Sequence, residues 1–161
     1  MNNPLKTPFL EIELLKQAVV KAVKQVVQAR INVAQTAMQA AQASANEETK
    51  SSAGDKYETG RAMAQLERDR HAQLLADAKR MLADLEKTNP GITTSVVVPG
   101  SLVRTSRGTF FLAISAGKLT LDGADYFAVS VASPIGALLL GKKAGDVVMF
   151  NKMGYEVLGI V

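Results

Sequence analysis

The stretch ANEETKSSAGDKYETGRAM, residues 45–63, joins two long runs of helical spacing and is more densely charged than the runs around it. It holds the carboxylates of Glu47, Glu48, Asp55 and Glu58 within a short length of chain. Because helical patterns lie on both sides, the polar insert is best placed at the turn of a helical hairpin. Like charges gathered at an exposed turn repel one another, so their presence indicates a task such as sharing a cation.

The run before this turn predicts a first helix that begins at Thr7-Pro8, with threonine as the cap and proline at the first helical position. Its apolar residues step by three and four, the spacing that places them on one face. They are Ile12, Leu15, Val19, Val23 (or Ala22), Val26, Val33, Ala37 and Ala40. Toward the turn this stripe thins to alanine and glutamine, which buries little apolar area. We therefore expect the far end of the hairpin to be only marginally stable.

A second helix is predicted from Glu58 or Thr59 to Leu85, and the sequence Lys87-Thr88-Asn89-Pro90-Gly91 stops it. Its apolar positions are Met63, Leu66, Leu74, Ala78, Met81, Leu82 and Leu85. Two such helices predict an antiparallel coiled-coil hairpin about 50 Å long at 1.5 Å per residue. The predicted domains are the hairpin, residues 1–90, with its acidic tip near residues 45–60, and a second domain of residues 91–161.

From Ile92 onward the pattern changes to short β-rich runs broken by glycine, which predicts strands. The predicted strands are residues 96–104, 109–115, 118–121, 126–131, 147–150 and 155–161. Between them, a serine cap at Ser133, a proline at Pro134 and a stop at Gly141 predict one short helix. The sequence therefore predicts an α+β fold, in which the helical hairpin is followed by a small antiparallel sheet domain with one short helix.

Composition narrows the possible functions. The chain of 161 residues has no cysteine, which excludes disulfides, thiolate zinc sites and cysteine nucleophiles. No apolar run approaches the ~18 residues of a membrane helix, so a cytoplasmic location without a membrane partner is expected. The net charge of +4 favours acidic partners weakly. The first helix is basic, because its charged residues from Lys16 up to the turn are Lys16, Lys21, Lys24 and Arg30. These cations form either a solvated helix face or a surface that lies beside a polyanion or an acidic protein wall.

The segment SPIGALLLGKKAGDVVMF, residues 133–150, and the closing YEVLGIV, residues 155–161, resemble a known pattern. It is the Ser-Pro-(Ile/Leu)-x-x-(Ala/Leu)-Leu-(Leu/Ile)-Gly-Lys-x-x-Gly-Asp pattern of the FKBP-like domain in GreA/GreB-family transcription elongation factors. The resemblance covers nearly the whole chain. The chain also resembles a short-chain branch of the family whose members share the tip NEETKSSAGDKYETGRAM.

The resemblance implies a bacterial, DNA-associated transcription factor that binds RNA polymerase. In the family the hairpin enters the secondary channel of the polymerase while the FKBP-like domain grips the channel rim. Tip carboxylates near the 3′ end of the nascent RNA then help hold the second catalytic Mg²⁺ and a water, and the polymerase cleaves backtracked RNA. By this resemblance the chain shares Mg²⁺ with the polymerase, and it has neither an active site nor a small-molecule substrate of its own.

Two registers of the family tip fit the sequence. The family reads Gly-Asp-x-x-Glu-Asn, and residues 54–59 match it at Asp55 and Glu58, with threonine in place of the asparagine. These two carboxylates would be donated to the polymerase, and they share one side of a helix if the second helix has begun there. The family's Tyr-x-x-x-Arg instead matches residues 57–61, which moves the acidic role to Glu47 and Glu48. A plain structural interpretation is that Asp55 caps the second helix and Glu58 completes a capping box.

Further residues are candidates for partner contacts. Near the tip these are Lys50, Lys56 and Arg61, which either meet RNA phosphate or polymerase acids or only solubilise the turn. In the second domain they are Ser133, Pro134 and Ile135, which either belong to the rim-gripping surface or serve as cap and core residues. The lone histidine, His71, is predicted to be a surface side chain.

The sequence leaves three classes of function to weigh. The first is the polymerase cleavage factor described above. The alternative is a channel-binding regulator of RNA polymerase that does not stimulate cleavage. A free-standing enzyme is disfavoured, because the sequence lacks a nucleophile with a base and an orienting partner, and it lacks a cofactor motif. Prolyl isomerase activity is also disfavoured, because aromatic residues make up only 5% of the chain and tryptophan is absent.

Overall fold

The structure, a computed structural model, describes residues 7–48 and 54–161, with the side chains of residues 11–47 and 58–161. The helices are α1 (Thr7–Glu48), α2 (Gly54–Lys87) and α3 (Pro134–Leu139), and the strands are β1 (Leu102–Thr105), β2 (Gly108–Ala113), β3 (Gly117–Leu121), β4 (Ala124–Ser130), β5 (Val147–Phe150) and β6 (Met153–Ile160). Two long packed helices precede a six-stranded sheet with one short helix. The predicted α+β class is confirmed.

Contacts group the chain into two compact units. Of the described residues, those up to Gln25 and Ala83–Val161 form unit 1, and those between Val26 and Leu82 form unit 2. Unit 1 therefore holds the sheet, α3 and one end of each long helix, and unit 2 holds the rest of those helices. The predicted boundary at residue 90 marks the change from helix to strand, and as a domain boundary it stays a prediction.

The two long helices are antiparallel, as the cross-helix contacts show. In unit 2, the Arg30 guanidinium lies 3.8 Å from the Met81 sulfur, and the Arg68 guanidinium donates to Gln42 Oε1 at 3.2 Å. In unit 1, Lys24 Nζ lies 3.9 Å from a carboxylate oxygen of Glu86. Residue numbers along α1 rise as those along α2 fall, which is the predicted antiparallel hairpin.

The buried seam of α1 agrees with the predicted stripe at Val19 and Val23, whereas Ile12 and Leu15 before them are exposed and the seam departs from the stripe again after Val23. Val19, Val23 and Val27 are fully buried, and Ile31, Ala34 and Ala45 continue the seam. Val33, which was predicted to lie on the stripe, is 70% exposed. Valines occur both three and four residues after Val23, and a step of four to Val27 turns the later seam away from Val33. Periodicity alone does not choose between these steps.

The seam of α2 is displaced in the same way. Leu75, Ala78 and Leu85 are buried. Three residues of the predicted stripe are exposed instead: Met63, Leu66 and Leu74. The neighbouring leucines at 74 and 75 are equivalent in a sequence pattern, and packing against α1 decides which one is buried. The helix also begins at Gly54, earlier than the predicted Glu58 or Thr59.

The sheet has the strand order β3-β4-β2-β1-β6-β5. Its neighbouring strands are antiparallel except β2 and β4, which are parallel and place Thr109 beside Tyr126. The prediction of a wholly antiparallel sheet is wrong at this pair. The β3–β4 hairpin folds so that β4, rather than β3, lies next to β2, and local sequence does not encode that choice. Strand β1 also begins only at Leu102, because Pro99 and Gly100 form a turn before it.

Both faces of the sheet carry buried side chains. Successive residues of a strand point to opposite faces, so Phe110 and Phe111 of β2 serve different sides, and both are buried. The face toward α3 holds a core of Val97, Val103, Phe110, Leu112, Ile135, Leu139, Val148 and Val157. The opposite face buries Leu102, Phe111, Tyr126 and Ala128.

Helix α3 forms as its sequence predicts. Ser133 is the N-cap, and its hydroxyl accepts a hydrogen bond from Gly136 N at 3.1 Å. Pro134 takes the first helical position, and Gly141 follows the helix with φ near 80°. A Cβ atom at Gly136 would collide with the carbonyl oxygen of Ser130, so glycine is required where α3 meets the end of β4.

Lys16 is buried, although the sequence placed it on a solvated basic face. Its side chain is only 1% exposed, and its ammonium donates to the carbonyl of Ile92 at 3.1 Å. This hydrogen bond ties α1 to the chain that follows α2. Burial lowers the pKa of Lys16, and the nearby carboxylate of Glu13 partly opposes that effect. The solvated-face interpretation is therefore wrong for this residue.

Replacing Gly136 with alanine should destabilise the protein by about 2–3 kcal/mol, because the added methyl group forces the backbone of α3 away from Ser130. The matched control is Gly159→Ala in β6, where an added Cβ meets no atom within 4 Å. Denaturant unfolding of both variants checks this. Equal losses of stability in the two would contradict the described packing of α3.

Replacing Lys16 with methionine should flatten the dependence of stability on alkaline pH. Because the folded-state pKa of Lys16 lies below 10.5, the unfolded chain binds the proton more tightly, and stability rises as pH increases from the folded pKa toward 10.5. Denaturant midpoints of wild type and Lys16→Met across that range measure the difference. The exposed Lys24→Met is the control and should keep the wild-type slope. A slope in Lys16→Met as steep as in wild type would contradict the assigned burial.

Candidate functional site

Antiparallel pairing brings the last turn of α1 and the first turns of α2 to the same end of unit 2. We call this region the hairpin end and define it as residues 45–48 and 54–61. The residues that join the two segments, 49–53, lie outside the described residues. The hairpin end contains all four acidic residues that the sequence singled out.

The carboxylates of the hairpin end divide into described and undescribed side chains. Glu47 on α1 and Glu58 on α2 are exposed. Glu48 ends α1 and Asp55 lies in the first turn of α2, but the positions of their side chains lie outside the description. Since α2 already includes Gly54, Asp55 and Glu58 satisfy the condition of being three apart on one helix. A capping box would require Asp55 to be the residue just before α2. Because α2 already begins at Gly54, Asp55 lies inside the helix.

The candidate cations are distributed in the same manner. Arg61 is exposed on α2. Lys56 lies on the helical backbone of α2 with its side chain undescribed, and Lys50 falls outside the described residues. Their contacts with RNA phosphate or polymerase acids stay predictions.

A polar chain positions the hairpin end, and sequence reasoning missed it. The Arg68 guanidinium donates to Gln42 Oε1 across the two helices, and Gln42 Nε2 donates to Asn46 Oδ1 at 3.1 Å. Asn46 directly precedes Glu47, and the methyl group of Ala45 is buried beside it. The spacing of four between Gln42 and Asn46 is a signal in the sequence. The partnership with Arg68 follows only once the register of the two helices is known.

Metal binding has no direct geometric support in the described part of the chain. Among the side chains that the structure describes, no group of three or more His, Asp or Glu is arranged to hold an ion. His71 lies partly exposed on α2, and its Nε2 is 3.5 Å from a carboxylate oxygen of Glu67. That position agrees with the predicted surface role. The Mg²⁺ ligand set of Asp55, Glu58, Glu47 and Glu48 stays a prediction.

The predicted rim-contact residues have different exposures. Ser133 is partly buried by its capping role and Pro134 is exposed, whereas Ile135 is 8% exposed and packs in the sheet core. Ile135 therefore presents little surface to a partner. Leu138 and Leu140 are exposed apolar residues of the same segment, and the sequence analysis did not single them out. Their signal was the run of leucines after the helix start, which has more apolar residues than one helix face can bury.

Comparison with known proteins found no matching family model, no matching curated protein and no matching solved structure. The resemblance to GreA/GreB-family factors therefore rests on the sequence motifs at the hairpin end and at residues 133–150. Within the described residues, neither long helix is apolar enough to span a bilayer.

Proposed function

We propose that this protein is an RNA polymerase-binding factor whose hairpin end enters the secondary channel and lends carboxylates to the catalytic Mg²⁺, so that the polymerase cleaves backtracked RNA. The observation that carries this proposal is the antiparallel pairing of α1 and α2, which gathers the acidic residues at one end of unit 2 with Glu47 and Glu58 exposed.

The chemistry suits the residue types at that end. Mg²⁺ prefers oxygen ligands and keeps several waters, so a site that holds it weakly gains from one or two added carboxylates. In two-metal phosphodiester cleavage, the ions stabilise the attacking and the leaving oxygen. An exposed carboxylate such as Glu58 can complete such a site on a partner without forming a closed site in its own chain.

The packing of unit 2 supports insertion into a narrow opening. Its buried seam contains Ala34, Ala45 and Ala78, whose small side chains let the helices approach closely. The part of α1 within unit 2 extends about 35 Å at 1.5 Å per residue. A slim pair of helices of that length can place its end at a recessed site. The hydrogen bond from Arg68 to Gln42 keeps the two helices in register.

A second contact is available on unit 1. The segment that carries the family pattern exposes Pro134, Leu138 and Leu140, and Lys142 follows them. Apolar side chains ringed by polar ones are typical of protein contact surfaces. We assign to this segment the contact with the rim of the polymerase channel.

The proposal is tested by transcript cleavage in stalled complexes of the cognate polymerase. Wild type should shorten the backtracked RNA. Neutralising the active pair, by Asp55→Asn with Glu58→Gln or by Glu47→Gln with Glu48→Gln, should slow cleavage by about 10- to 100-fold, the usual cost of losing a group that supports a metal. The matched control is Asp84→Asn with Glu86→Gln, which removes the same charge near the other end of α2 and should cleave at the wild-type rate.

The outcomes separate the two polymerase-directed functions. The donated-ligand mechanism would be overturned if wild type cleaves the RNA and both double variants cleave it at the same rate as wild type. If wild type competes for the channel but never shortens RNA, the protein is instead a regulator without cleavage activity. Absence of binding to the polymerase would overturn both.

A further inference from the structure

Unit 1 contains a cleft of about 350 Å³ between the start of α1 and the sheet face opposite α3. Ile12 and Leu15 of α1 line one side, and Leu102 of β1 lines the other. Its volume falls within the range of about 300–1,000 Å³ that is typical of small-ligand sites. Predominantly apolar walls with a few polar groups are also typical of such sites.

The polar groups of this cleft lie in one row across the sheet. Arg104 of β1 is paired with Thr109 of β2 on one side and with Gly159 of β6 on the other. Thr109 is in turn paired with Tyr126 of β4. Directly paired residues point to the same face, and all four line the cleft. The parallel β2–β4 pairing is what adds Tyr126 to this row.

Arg104 and Gly159 give the row a charged group with free space next to it. The Arg104 side chain is exposed and makes neither an ion pair nor a hydrogen bond with another residue that the structure describes. Its guanidinium stays protonated at all relevant pH values and suits a carboxylate in a two-pronged hydrogen bond. A Cβ placed on Gly159 would meet no atom within 4 Å, so the space beside the arginine is open.

We propose that this cleft binds a small amphipathic anion, a carboxylate with an aliphatic body. The carboxylate pairs with the Arg104 guanidinium and reaches the Thr109 hydroxyl, and the aliphatic body packs against Ile12, Leu15 and Leu102. The site belongs to unit 1 and uses none of the hairpin-end carboxylates, so it does not depend on the proposed role at RNA polymerase.

The anion preference is tested by calorimetric titration with octanoate and with octanol, which differ in the head group only. Wild type should bind one octanoate more tightly than octanol. Arg104→Gln should weaken octanoate about 10- to 100-fold, the value of a charge-assisted hydrogen bond, and leave octanol within about twofold. The control Arg107→Gln removes a nearby guanidinium that donates to Gly154 O, and it should change neither affinity.

The location of the site is tested by filling it. Gly159→Leu should abolish binding of both probes, and a thermal melt confirms that this variant is folded. Val33→Glu alters an exposed apolar residue of unit 2 and should leave both affinities unchanged. The proposal is overturned if wild type fails to bind octanoate, if Arg104→Gln affects both probes equally, or if a folded Gly159→Leu still binds them.

Discussion

The seam of small apolar residues between α1 and α2 determines which side chains meet at the hairpin end. Val19, Val23 and Val27 are fully buried, and full burial of a valine is worth about 1.5–3 kcal/mol. Farther along, the seam continues through Ala34 and Ala45, which bury far less area. The valines supply most of the buried apolar area of the seam, and the alanines supply less of it near the acidic residues.

Polar contacts compensate for the thinner seam. The hydrogen bond from Arg68 to Gln42 joins the helices close to the hairpin end, where apolar burial is smallest. Such a bond contributes about 1 kcal/mol, but it is specific in direction and distance. The bond fixes one register of the two helices without large side chains between them. The helix pair therefore stays narrow near the hairpin end, as the proposed function requires.

In unit 1, the strand order determines which side chains lie next to one another. Because β4 pairs with β2 in parallel, the sheet places Tyr126, Thr109 and Arg104 on neighbouring strands of one face. The α3 side of the same sheet is filled by the aromatic and aliphatic core, and the cap at Ser133 anchors the short helix over it. One face is thus closed by packing, whereas the other keeps a cleft with a charged group.

Features with local causes were predictable from the sequence. Ser133, Pro134 and Gly141 specify α3 through capping and backbone geometry, and the helical spacing on both sides of residues 45–63 predicts the two long helices. Features that depend on tertiary pairing were not predictable. The choice between Val26 and Val27, the parallel partner of β2 and the burial of Lys16 all depend on which element packs nearby. The sequence identified the candidate acidic residues of the hairpin end, and the structure gave the register of α1 against α2 there.

The helical register at the hairpin end is tested most directly by cross-linking, because the chain has no native cysteine to interfere. A short bismaleimide should join Gln42→Cys to Arg68→Cys within one molecule. It should not join Gln42→Cys to Lys79→Cys, a position about 16 Å farther along α2. Mass spectrometry of the looped peptides distinguishes the two. Cross-linking of the second pair in preference to the first would contradict the antiparallel seam on which the account depends.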